Sequence, residues 1–125
     1  VIDVEALVAT WIEANVDDTR GMTETPANLD TLLPVAKVMK IGGSYDGFRI
    51  TRATVDVDFF DSTRDRAWSG ALHVQWCLHN LFVRRRQGDA VVARVETLTD
   101  PRRLPYDNTN LRRVGATYRI TVHPA

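Results

Sequence analysis

Between residues 45 and 83 the chain changes its hydrophobic period, from that of a strand to that of a helix. Ala53, Val55, Val57 and Phe59 alternate with Arg52, Thr54, Asp56 and Asp58, the signature of a strand with one buried face. The chain turns at Asp61-Ser62 and reads as helix over residues 62–83. At about 100° per residue, Ala67, Ala71, Val74, Leu78 and Phe82 form one stripe, which belongs on the sheet. Trp68, Leu72, Trp76 and Val83 form a second, displaced by roughly a third of a turn or more. That second stripe packs under the first helix or forms part of a subunit interface, where Trp is enriched. The two readings are compatible, because one short helix is too small to cover both tryptophans.

The rest of the chain is read the same way. Val4, Leu7, Val8, Trp11 and Ile12 form a helical stripe over residues 3–16, with Asp3 as N-cap. Residues 17–33 are polar and read as a long loop, of a length that is usually functional or ordered by a partner. A strand over residues 35–41 follows, then a glycine-rich turn over 42–47 and the long strand over 48–60. Phe48 and Ile50 are even-numbered whereas Ala53 to Phe59 are odd. Either a bulge near Thr51-Arg52 or burial on different faces accounts for the shift. Ser62 and Asp65 have capping-box spacing, and Gly88 suits the residue after the helix. Residues 89–98 form a third strand, with Val91, Ala93 and Val95 facing one way. Residues 112–123 form a fourth, with Val114, Ala116, Tyr118, Ile120 and Val122 facing in. Residues 99–110 join them as a loop too long for a tight hairpin. The fold class is α+β, helix–strand–strand–helix–strand–strand: an antiparallel four-stranded sheet flanked by two helices, one domain over residues 1–125.

Composition narrows the function. Sixteen basic and sixteen acidic side chains cancel, which argues against a dedicated nucleic-acid binder and suits a surface that pairs with copies of itself. Fourteen of the basic residues are Arg, the cation favoured at protein interfaces. Cys77 is the one cysteine, so no internal disulfide forms, and its helical position reads as core or interface. No run of eighteen apolar residues crosses a membrane. The opening Val1-Ile2-Asp3-Val4-Glu5 lacks the basic and apolar regions of a secretory leader.

Candidate chemistry is sparse. Asp56, Asp58 and Asp61 allow an Asp-x-Asp metal or acid–base site, but Arg52 and Thr54 share the face of Asp56 and Asp58, and no His or Glu partner is placed by spacing. Outer-face polarity or ion pairing explains them better. His73 and His79 lie six apart on the helix and make no zinc pair. There is no Gly-x-Ser-x-Gly, Walker loop or GxGxxG. Arg84-Arg85-Arg86 end the helix at the negative end of its dipole. With Arg102, Arg103, Arg112 and Arg113 they offer a rival nucleic-acid reading. The residues support an assembling, non-enzymatic domain that needs no cofactor or metal. Its candidate subunit interface comprises Asp56, Asp58, Arg64, Arg66, Trp68, Leu72 and Trp76. Its candidate docking loop carries Arg102, Arg103, Tyr106 and Asp107, restricted by Pro101 and Pro105.

Five stretches carry a resemblance: Leu33-Pro34-Val35; Ile41-Gly42-Gly43-Ser44-Tyr45-Asp46-Gly47-Phe48; Ala53-Thr54-Val55-Asp56-Val57-Asp58; Pro101-Arg102-Arg103-Leu104-Pro105-Tyr106-Asp107-Asn108; and Tyr118-Arg119-Ile120-Thr121-Val122-His123-Pro124. In this order the chain resembles, over nearly its whole length, the tail terminator proteins of long-tailed, non-contractile bacteriophages (siphophages), especially of actinobacterial hosts. The resemblance implies a virion protein assembled in the host cytoplasm as a homo-oligomeric ring, usually a hexamer. Such a ring caps the head-proximal end of the tail tube and stops its polymerisation. Its implied partners are its own copies, the major tail tube protein and the neck protein, with DNA passing through the lumen and no membrane. No active-site residues transfer. Related neck and tail-completion proteins share this kind of fold and are the nearest alternative.

Overall fold

The computed structural model describes residues 2–125. The first helix, α1 (Val4–Asn15), starts where Asp3 accepts the Ala6 N–H at 3.0 Å. Its stripe is buried at Val4, Val8, Trp11 and Ile12. Asn15 donates its side-chain amide to the Trp11 carbonyl, and Asp18, at φ 56°, turns the chain away.

The sheet has six strands, not four. In spatial order they are β1 (Arg20–Met22), β2 (Val35–Tyr45), β3 (Thr51–Asp61), β6 (Arg112–Pro124), β5 (Ala90–Leu104) and β4 (Arg86–Gln87). The two extra strands are two and three residues long, too short to show a period in sequence. β1 arises inside the expected 17–33 loop, pairs parallel with β2, and is followed by a 3-10 turn at Leu29–Thr31. The other pairs are antiparallel. β4 forms a hairpin with β5 through Gly88, whose φ is +60°. Gly88 therefore serves this hairpin and not the helix end, where Arg84 takes the left-handed conformation at φ 64°.

The second helix, α2 (Arg64–Cys77), continues as a π-helical turn at Leu78–Phe82. Its cap is Thr63, whose Oγ1 accepts the Arg66 N–H at 3.2 Å, one residue beyond the expected Ser62. Ser62 instead donates its N–H to the buried Asp61 carboxylate at 2.7 Å. Ala67, Ala71, Val74, Leu78 and Phe82 are buried, as the stripe predicts. Gly70 lets the helix approach the sheet, since a Cβ there would lie 2.1 Å from the Phe59 ring.

Both helices cover the same face of the sheet, and their buried residues join alternate residues of β2, β3 and β6 in one core. The Trp11 and Phe82 rings meet at 4.9 Å and link α1 to the end of the π-helical turn. A second, smaller core lies on the opposite face, where Leu29, Val35, Phe60 and Leu111 pack with Leu33 and Tyr106. Phe59 and Phe60 therefore serve different cores, which is why β3 ends in consecutive apolar residues.

Two expectations of strand parity change. β3 pairs with β6 without interruption from Thr51 to Asp61. The bulge lies across the ladder, between Lys40 and Gly42 of β2. Phe48 and Ile50 break parity because they belong to the hairpin connection between β2 and β3. In β5 a register shift between Val92 and Arg94 turns Ala90, Val92 and Val95 inward, in place of Val91, Ala93 and Val95.

Candidate functional site

The expected interface residues occupy two surfaces with the sheet between them. Asp56 and Asp58 lie on the face away from the helices. Thr117 donates its hydroxyl to Asp56 at 2.6 Å, and the Arg113 guanidinium donates twice to Asp58, at 3.0 and 2.7 Å. Gly115 lies between these pairs on β6; a Cβ there would come within 2.6 Å of Asp58 and of Leu104. Neighbouring strands thus engage both carboxylates. Among the described residues, no three His, Cys, Asp or Glu side chains converge to hold a metal ion.

Arg64, Trp68, Leu72 and Trp76 run along α2 at intervals of four. Arg64 bonds Asp65 at 2.9 Å and lies 5.7 Å from the centre of the Trp68 ring. Trp68 is half-buried against the main core. Leu72 and Trp76 stay in solvent, 43% and 55% exposed, and Arg66 is also exposed. α1 packs beside β1 and β2 and leaves this stripe open.

The expected docking loop is shorter than read. β5 runs to Leu104 and takes Arg102 and Arg103 into the ladder, opposite Gly115 and Val114. Both side chains are exposed. Tyr106 turns inward, its ring edge-on to Phe60 at 5.0 Å, while Asp107 remains in solvent.

The histidines are apart. His79 bonds the Thr97 hydroxyl at 2.7 Å, and His73 faces the Cys77 sulfur at 3.6 Å. Burial pushes the Cys77 thiol above its ordinary pKa, with Asp17 adding to the shift. Burial likewise raises the Tyr118 phenol, helped by the negative charge of Asp100.

One exposed apolar surface lies outside the candidate sites named from the sequence. The β2–β3 hairpin exposes Met39, Ile41, Tyr45 and Phe48, and Phe48 is 77% exposed. The parity break at Phe48 was its signal, because a large apolar residue in a tight turn has no core to enter.

No protein-family model matches the chain, and no curated protein matches it. Among solved structures, the chain is similar to one in the virion of a native gene transfer agent (GTA) particle, with a TM-score of 0.62 at 12% identity. The match covers 96% of this chain and 94% of that one, so the likeness of fold spans nearly the whole of both. Among the described residues, no helix is long and apolar enough to cross a membrane.

Proposed function

We propose that this chain is a structural virion protein, a tail terminator of a siphophage, that closes into a ring on the head-proximal end of the tail tube. The carrying observation is an end-to-end fold likeness to a chain of a gene transfer agent virion. The sequence resemblance supports it, and so does the open Leu72–Trp76 stripe. The mechanism is steric. Head-to-tail contacts close the ring, one face fits the tube, and the other admits no further tube ring but fits the neck. Asp56 and Asp58 act as structural side chains, each already engaged across the β3–β6 ladder, and the reading includes no catalysis.

The test is localisation. Antibody raised against the purified protein, coupled to gold, is applied to particles of the phage that encodes it. Label at the head–tail junction, together with rings on the ends of isolated tubes, supports the reading. Label on the capsid shell or at the distal tip overturns it. Label retained by tail-less heads assigns the chain to the neck instead.

A further inference from the structure

The β2–β3 hairpin ends in an ordered apolar knob. Asp46 accepts the backbone N–H groups of Phe48, Arg49 and Ile50 at 2.8, 2.8 and 3.0 Å. The Tyr45 hydroxyl donates to the Phe48 carbonyl at 3.2 Å, and the Asp46 N–H bonds the Ile50 carbonyl at 3.0 Å. These bonds hold the turn closed, so the exposed Phe48 ring loses little further freedom when it is buried. They also turn the one carboxylate of the tip onto its own backbone. Arg49 and Arg52 remain as the tip's exposed charges, although Arg49 also donates to the Pro124 carbonyl at 3.2 Å.

A matching hollow lies at the same end of the molecule. Pro124, which Arg49 touches, pairs with Ala90. Ala90 borders a groove of about 500 Å³ between α1 and the β4–β5 turn. Ala6, Leu7, Trp11, Ala14 and Ala90 make its lining mainly apolar, and Asp3 and Asp89 add acidic groups. The knob is apolar with basic neighbours and the groove is apolar with acidic ones, so they are complementary in charge. They occupy different patches of one chain, and such a pair joins copies head to tail.

We infer that Phe48 of one subunit seats in the groove between α1 and the β4–β5 turn of the next copy, with Arg49 and Arg52 facing Asp3 and Asp89. The inference rests on the ring reading above and names the contact that gives the ring its direction. Edge-to-edge strand pairing is blunted: Glu5 accepts the Lys40 N–H on β2 at 2.8 Å, and β5 carries three register shifts. Side-chain seating avoids both obstacles.

Cysteine trapping tests it. Phe48→Cys protein is mixed at high concentration with separately tagged Thr10→Cys protein, Thr10 being an exposed residue of the groove. Under mild oxidation the mixture should yield a disulfide heterodimer at least about tenfold above a control pairing Phe48→Cys with Asn80→Cys, because a seated contact raises the effective concentration. Asp89→Arg in the groove partner should lower that yield, and Arg49→Asp in the knob partner should restore it. Both charge variants lie in exposed turns, and thermal melts check their folding. Heterodimer at control level while particles still show rings overturns the knob contact and leaves the ring reading standing. Thr10→Cys trapped on the tube protein instead also overturns the contact. Heterodimer at control level with no rings on tubes or in solution overturns both.

Discussion

The Trp76→Lys substitution separates assembly from folding. Trp76 is 55% exposed. Of the ~250 Å² that a tryptophan can bury, roughly 140 Å² is thus open to a neighbour. At ~25 cal/mol per Å² that area is worth at most about 3.5 kcal/mol, a few hundredfold in the equilibrium constant of each contact. The lysine stem replaces part of the ground that the indole covers on its own helix, so the isolated monomer should change by less than about 1 kcal/mol. Trp68→Ala is the contrast: Trp68 packs against the core, and its truncation should cost the monomer about 3 kcal/mol. Chemical denaturation at low protein concentration reads the monomer. Sedimentation with and without tail tubes reads assembly. If Trp76→Lys assembles like the parent, the stripe is not an interface. If it loses as much monomer stability as Trp68→Ala, the stripe belongs to the core.

Gly70→Ala should destabilise the protein by about 1–3 kcal/mol, against the gain that helix propensity alone predicts; a raised midpoint in chemical denaturation would show that α2 is not seated on Phe59. Asp58→Ala should cost about 1–3 kcal/mol, because Arg113 loses the one carboxylate oxygen that accepts both of its hydrogen bonds in a half-buried pair, and a double-mutant cycle with Arg113→Ala should show the two effects to be non-additive. Hydrogen bonds from the Phe48 and Ile50 N–H groups, the main causes, hold the Asp46 carboxyl below its ordinary pKa of 3.8. A carboxylate whose folded pKa is depressed stabilises the fold above its unfolded value, and that contribution is lost as pH falls through the folded value. Amide exchange at Phe48, Arg49 and Ile50 should therefore stay protected at neutral pH, loosen below pH 3.8, and be fast at all pH in Asp46→Ala; equal protection in that variant would show that the carboxylate does not hold the turn.

Some features of this protein follow from the sequence alone. The α1 stripe, the long alternating β3, the inward residues of β6 and the buried face of α2 repeat at periods that only one local structure can bury. Their order sets an α+β class. Other features needed the third dimension. β1 and β4 are too short for a period and exist because β2 and β5 offer them free ladder positions. The bulges at Ile41 and Ala93 arise from registry between strands and not from any residue by itself. Tyr106 stands in the sequence as a docking residue, and only the fold shows that its ring meets Phe60, 46 positions earlier, edge-on. Exposure is the least local property. Trp68 and Trp76 have the same chemistry and the same helix, yet one rests on the core and the other is left in water. α1 packs on β1 and β2 and leaves Trp76 uncovered.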